Sequence, residues 1–109
     1  MIDEVGVDVI TYHQNQNHVA RVADEAGIYS IGYNKKAEGL SEKYLTAAVW
    51  NWNELYYQIT REYIQGKANL VKRHWYGIDT DVVALADYSP LVGEETHTLI
   101  ASVKGELYA

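Results

Sequence analysis

The chain has no cysteine, no phenylalanine and a single proline, Pro90, in 109 residues. Without cysteine there are no disulfides, thiolate metal sites or cysteine nucleophiles. No basic run exceeds two residues (Lys35-Lys36 and Lys72-Arg73, both read as solvated surface), and the net charge is −6. Such a chain repels phosphate backbones and anionic lipid, so nucleic acid and membrane surfaces are not expected partners. No apolar stretch approaches the length of a membrane span, and the acidic start Met1-Ile2-Asp3-Glu4-Val5 lacks the basic and apolar regions of a signal peptide. Neither G-x-G-x-x-G nor G-x-x-x-x-G-K-[ST] occurs, which removes the usual phosphate cradles.

What is present is an ordinary globular composition, 48% hydrophobic and 22% charged, sized for one domain spanning residues 1–109. Ten tyrosines and three tryptophans replace the missing phenylalanine. Aromatics of this kind, apolar in body and polar at one tip, suit half-wet clefts and interfaces as well as core edges.

Periodicity divides the chain into alternating elements. The β-branched run 7–12 reads as a strand. A helix follows, capped near Asn15 or Asn17, with Val19, Val22, Ala23 and Ala26 on its apolar stripe. Gly27 stands where a helix ends in a left-handed residue. Residues 28–33 form a second strand, 34–43 a loop with room for one helical turn, and 45–50 a third strand. A longer helix over 52–65, closed by Gly66, carries Trp52, Leu55, Tyr56, Ile59, Tyr63 and Ile64 as an expected buried stripe. Strands over 71–78 and 82–86 follow, parallel to the others or paired as a hairpin. Ser89-Pro90 breaks the chain before a last helix from Gly93, with Leu99, Ile100, Val103 and Leu107 apolar. The order predicts an α/β fold: a three-layer, Rossmann-like lobe with a mostly parallel sheet and helices on both faces.

In open parallel sheets, ligands bind beyond the carboxyl ends of the strands. That rule selects four loops: His13-Gln14-Asn15-Gln16-Asn17; Tyr33-Asn34; Trp50-Asn51-Trp52; and Ile78-Asp79, with Tyr76 nearby. Flat aromatics with amides and few charges suit a neutral, planar, polar molecule. Plainer roles compete at each point. His13 serves as well as a loop residue, the amide run as a helix cap, Trp50 and Trp52 as core, and Asp79 as a turn residue. Nothing marks an enzyme. His13 and His18 do not share a helical face for a metal, no serine lies in G-x-S-x-G, and no cofactor is expected. A receiver domain would need an acidic pair where Tyr12-His13 stands.

At these same loops the chain resembles the basic membrane protein (BMP) family of solute-binding lipoproteins. The resemblance rests on Gly6-Val7-Asp8-Val9-Ile10-Thr11-Tyr12-His13, on residues 23–34, and most specifically on Leu45-Thr46-Ala47-Ala48-Val49-Trp50-Asn51-Trp52. Residues 75–83 and Ser89-Pro90-Leu91-Val92-Gly93-Glu94-Glu95-Thr96 extend it. It implies a type I periplasmic-binding fold of two lobes, of which this chain matches the carboxy-terminal one, with the amino-terminal lobe and any lipobox missing. It further implies an extracytoplasmic, membrane-anchored receptor feeding an ABC transporter permease, with a purine nucleobase or nucleoside as ligand. By position, His13, Gln14, Asn15, Tyr33, Asn34, Trp50, Asn51, Trp52 and Asp79 become the ligand-binding residues. Two departures, Asn34 where many members carry Asp and Asp79 where they carry Lys, favour a nucleobase or another small polar solute over a nucleoside. One lobe alone is expected to bind weakly and to self-associate through the surface its partner lobe would cover. The alternatives are a ligand-sensing regulatory lobe without a transporter and a small α/β enzyme acting on purines.

Overall fold

The computed structural model describes residues 2–68 and 73–108. Among them the elements run α1 (Ile2–Val5), β1 (Val9–Thr11), α2 (His18–Glu25), β2 (Tyr29–Asn34), β3 (Tyr44–Trp50), α3 (Trp52–Ile64), a short 3-10 turn η1 (Ile78–Thr80), β4 (Val83–Leu85) and α4 (Glu94–Tyr108). One sheet of order β1-β2-β3-β4 results, with the first three strands parallel and β4 antiparallel to β3. It is the expected α/β architecture, a mostly parallel sheet flanked by helices.

Two glycines act as the sequence anticipates. Gly27 (φ +71°) and Gly66 (φ +68°) take the left-handed conformation just past α2 and α3. Behind each, the chain folds back in a double-bonded cap: Ile28 N–H donates to Ala23 O and Gly27 N–H to Asp24 O, as Lys67 does to Glu62 O and Gly66 to Tyr63 O.

Residues 35–43 return the chain from the end of β2 to the start of β3. Fully extended they reach about 30 Å, and each flanking strand, of six and seven residues, is about 20 Å long. The segment forms no helix. Side chains pin it instead. Ala37 N–H donates to the Tyr44 hydroxyl (3.2 Å), and the Asp24 carboxylate accepts from both the Ser41 N–H (3.1 Å) and the Ser41 hydroxyl.

The core lies on the α2 side of the sheet. Ala20, Tyr44 and Ala47 form its centre, joined by half-buried Tyr12, Ala37, Leu40, Val49 and Ala86. The buried face of α2 is therefore Ala20 and Ala23, not the expected Val22 and Ala26, which face solvent. Alanine there lets α2 approach the sheet closely, as bulkier valine would not. The buried hydroxyls are satisfied. Thr46 donates to Ala86 O at 2.7 Å, while Ser89 donates to Glu42 O and accepts from Leu91 N–H at 3.2 Å. The Ser89-Pro90 break is thus tied to the β3 edge.

Two expectations are corrected. Residues 73–77 of the expected strand over 71–78 pair with no strand, and Trp75 is 89% exposed. These residues lead into η1, and the chain joins the sheet only after it, at β4. Residues 71 and 72 of that expected strand lie outside the described residues. The direction of β4, left open from sequence, is antiparallel to β3: η1 ends at Asp81 in the left-handed region (φ 59°), and the chain enters the sheet at the carboxyl end of β3. Last, the stripe of α3 is not buried. Trp52 is 50%, Tyr56 63% and Tyr63 67% exposed, and the helix packs extensively on no other described element. Leu99, Val103 and Leu107 of α4 are likewise exposed. The radius of gyration, 17.2 Å, exceeds the ~13 Å of a compact chain of this length.

Candidate ligand cleft

The carboxyl ends of β1, β2 and β3 form one edge of the sheet. The amino end of β4 joins the same edge, since Val83 is the register partner of Trp50 and Asn51 N–H donates to Val82 O at 2.7 Å. Two adjoining clefts open there and share Lys35 and Lys36.

The first, about 570 Å³, lies over the loops after β1 and β2 and is polar, with Tyr12, Asn15, Asn17, Arg21 and Tyr33 in its wall. The His13 ring lies on Tyr33, with 4.0 Å between centroids and a 38° tilt. Asn34 holds φ +72°, which asparagine tolerates better than most side chains, and its Nδ2 donates to Asn15 Oδ1 at 3.3 Å. The two loops are thereby tied across the cleft. Asn17 marks the start of α2 but makes no side-chain cap. Its Oδ1 accepts from Arg21 Nε at 3.4 Å, and Asn15, Gln16 and Asn17 of the amide run line the cleft.

The second cleft, about 550 Å³, is more apolar, with Asn34, Val49, Trp50, Trp52, Leu85 and Asp87 around it. Trp50 and Trp52 are 6.0 Å apart at their ring centroids, and Tyr56 stacks on Trp52 at 6.2 Å. The result is a short ladder of rings, and neither tryptophan is in the buried cluster: Trp50 is 37% and Trp52 50% exposed. Lys36 Nζ donates to Asp87 O at 3.3 Å and bridges the β2 loop to the segment after β4.

Asn15, Tyr33, Asn34, Trp50 and Trp52 are thus brought together, with His13 packed behind Tyr33. Gln14 is exposed and lines neither cleft. Asn51 caps α3, accepting from Glu54 N–H at 3.4 Å. Asp79 sits in η1 on the same sheet edge but outside both clefts, beside Asp81 and Tyr108. The Tyr108 hydroxyl donates to Asp81, and that bond, ahead of burial and the charges of Asp81 and Asp79, raises its pKa. Lys35-Lys36, read from sequence only as solvated surface, line both clefts, and Asp87 was not singled out. Lys35-Lys36 directly follows Asn34, so the strand-end rule that selected Asn34 reaches them too.

Tyr12 joins the cleft to the core. Burial, then the neighbouring Tyr44 hydroxyl, pushes its phenol up to about 12. A phenol in an unfolded chain ionises near pH 10, so folding favours the neutral form. This contribution to stability is complete below about pH 10 and is lost as pH rises from there through about 12. In urea melts at pH 8 and pH 11, Tyr12→Phe is expected to lose less stability between the two than the unaltered chain does. Equal losses would remove Tyr12 as an alkaline-sensitive group.

Among the described residues no three His, Asp or Glu side chains are grouped to hold a metal, and no helix is long and apolar enough to cross a membrane.

Comparison with known proteins agrees with this geometry. A protein of Haloferax volcanii named as an ABC transporter glucose-binding protein, TsgA13, is 31% identical over 108 residues, which are 98% of this chain and 27% of the relative. The crystal structure of a transcriptional activator of the comK gene from Bacillus halodurans superposes with a TM-score of 0.88 at 23% identity, over 98% of this chain and 38% of that one. That likeness establishes the fold, and the chain spans well under half of either protein. The sequence model of the Bmp family, described as ABC transporter substrate-binding protein PnrA-like, matches residues 1–107. The chain belongs to the Bmp family of PnrA-like ABC transporter substrate-binding proteins.

Proposed function

We propose that the chain forms one lobe, and so one wall of the ligand cleft, of an extracytoplasmic receptor that delivers a purine nucleobase or nucleoside to an ABC importer. The observation that carries this reading is the ring ladder Trp50–Trp52–Tyr56 beside the Asn34–Asn15 amide pair at the carboxyl edge of the sheet. A purine offers a flat face to the rings and a donor–acceptor edge to the amides. Asn34, already engaged with Asn15, matches a base edge better than a pair of ribose hydroxyls. The opposing wall is assigned to a second lobe, the docking surface to a permease, and the anchor to a lipid. No catalytic step is assigned to any residue.

A second reading is a sugar ligand, favoured by the name of the Haloferax volcanii relative and by the tryptophans, whose faces also pack on the C–H face of a pyranose.

Titration of adenine, adenosine and glucose against tryptophan fluorescence separates the two. One wall supplies few contacts, so the expected affinity is weak, with Kd on the order of 1 mM. Saturable quenching by adenine at that level, with none by glucose, supports the purine assignment. Response to glucose alone replaces it with the sugar. Response to neither overturns both ligand assignments and leaves the family membership intact.

A further inference from the structure

The polar cleft over the loops after β1 and β2 holds more positive charge than a neutral solute calls for. Arg21 of α2 and Lys35 and Lys36 of the β2 loop line it, against one carboxylate, Glu38. The chain as a whole carries a net charge of −6, so the field in this cleft is opposite in sign to that of the molecule around it. None of the three cations is ion-paired among the described residues. Arg21 donates through Nε to Asn17 Oδ1 at 3.4 Å, which leaves its terminal N–H groups, and Lys36 Nζ donates to the neutral carbonyl of Asp87 at 3.3 Å.

The backbone brings the lysines there. Asn34 at φ +72° closes a tight turn in which Lys35 N–H donates to Tyr33 O at 2.9 Å. The turn ends β2 at Asn34. Both lysines then line the cleft, where a continuing strand would send them to opposite faces of the sheet. Like charges brought to one cleft from two elements repel each other, and an anion among them turns that repulsion into attraction.

We infer that this cleft is an oxyanion subsite: it takes a phosphate or carboxylate group of the bound solute, whose flat part lies on the ring ladder of the adjoining cleft. Lys35 and Lys36 line both clefts, so one solute can span them. A forked guanidinium beside ammonium groups is a donor set suited to either anion, and Asn15 and Tyr33 add neutral donors to the same wall. Side chains supply these donors, so no glycine-rich phosphate loop is required. Arg21, Lys35 and Lys36 are all exposed, and their pull on an anion is therefore modest and sensitive to salt. The position of the flat part rests on the purine reading; the oxyanion subsite itself does not.

Adenosine and adenosine monophosphate differ by a phosphate, and adenine and 9-(carboxymethyl)adenine by a carboxylate. All four are titrated into the chain, with saturation transfer to the adenine ring protons as the readout. An acidic member is expected to bind about tenfold more tightly than its neutral partner at low salt, and this advantage is expected to shrink as salt is raised. A gain with phosphate, with carboxylate or with both supports the subsite and identifies its anion. Arg21→Gln with Lys35→Gln is expected to bring the ratio below about two. Arg61→Gln with Lys67→Gln removes the same charge from residues lining neither cleft and should leave the ratio unchanged. Equal affinity for charged and neutral partners overturns the subsite and leaves the purine reading standing, as does an equal loss in the two double variants. If no adenine compound binds, inorganic phosphate is titrated alone against the backbone amide resonances. Shifts confined to residues 15–21 and 33–38 then uphold the subsite without the purine, and their absence overturns it.

Discussion

Replacing Gly32 by alanine is expected to destabilise the chain by about 3 kcal/mol or more, the largest effect of any single methyl group added to this fold. A Cβ built on Gly32 would lie 1.8 Å from the Tyr44 hydroxyl oxygen, 2.7 Å from Cζ and 3.0 Å from Cε2. No side chain accepts such contacts, and the backbone angles of Gly32 are not the cause, since its φ is ordinary. The phenol must move, and nothing nearby gives way. Tyr44 is 5% exposed, with Ala20 and Ala47 around its ring. Its hydroxyl also accepts from Ala37 N–H, the bond that holds the tight return between β2 and β3. Displacing the ring therefore adds a lost hydrogen bond and a loosened crossover to the steric cost.

The check is thermal unfolding followed by circular dichroism, with a fall in Tm of at least about 10 °C expected. Gly32→Ala combined with Tyr44→Phe removes the nearest atom but leaves Cζ in place, so only part of the loss should return. Gly105→Ala serves as the contrast. It adds the same methyl group inside α4 with nothing within 4 Å, and is expected to stabilise by about 0.5–1 kcal/mol through helix propensity. A Gly32→Ala chain as stable as its parent would mean that the Tyr44 ring does not lie over Gly32.

Gly32 also shows where sequence stops informing. Its neighbours Ile31 and Tyr33 mark a strand at once, but that a tyrosine twelve residues later lies flat across it depends on a register shift between Ser30 and Ile31, which leaves Leu45 as the unpaired residue. Register is a property of two strands and of the loop joining them, and single-strand periodicity does not contain it. The helix-ending glycines were legible because their requirement is local: Gly27 and Gly66 need only a backbone free to turn left-handed. Three of the four strand-end loops were legible for a topological reason, since parallel strands bring their carboxyl ends to one edge whatever the side chains are; the fourth, Ile78-Asp79, followed an expected strand that does not form.

The α3 stripe was half legible. Its periodicity announces that Trp52, Tyr56, Ile59 and Tyr63 share a face, and an apolar face is ordinarily buried in its own domain. What covers that face lies outside the pattern. The expected strand over 71–78 failed for a related reason: side chains that suit a strand do not supply the partner strand, and residues 73–77 pair with none. His13 and Asn15 read from sequence more readily as loop or cap residues than as site residues. The contacts of His13 with Tyr33 and of Asn15 with Asn34 depend on the fold and are not written in either loop alone.

Removing both Trp50 and Trp52 is expected to abolish measurable purine binding, whereas removing Asn51 is not. Stacking of a base on an aromatic ring is worth about 1–3 kcal/mol per ring by alanine substitution, and a Kd near 1 mM corresponds to only about 4 kcal/mol in all. Two such losses leave nothing to detect. Trp50 ends β3 and Trp52 opens α3, so each can be cut to alanine with little cost to the core: both rings are exposed and neither is in the buried cluster. Asn51 lies between them in sequence, but its Oδ1 caps α3, so Asn51→Ala should lower stability by about 1 kcal/mol and leave affinity within a factor of about two. Because the tryptophans are themselves the fluorophores, the readout is taken from the ligand: saturation transfer from protein to the adenine ring protons by NMR. Strong transfer in the unaltered chain, loss of it in the double variant and retention in Asn51→Ala place the base on the ring ladder. Undiminished transfer in the double variant would move the base to the neighbouring polar cleft at Asn15, where Tyr12 and Tyr33 are the remaining flat surfaces.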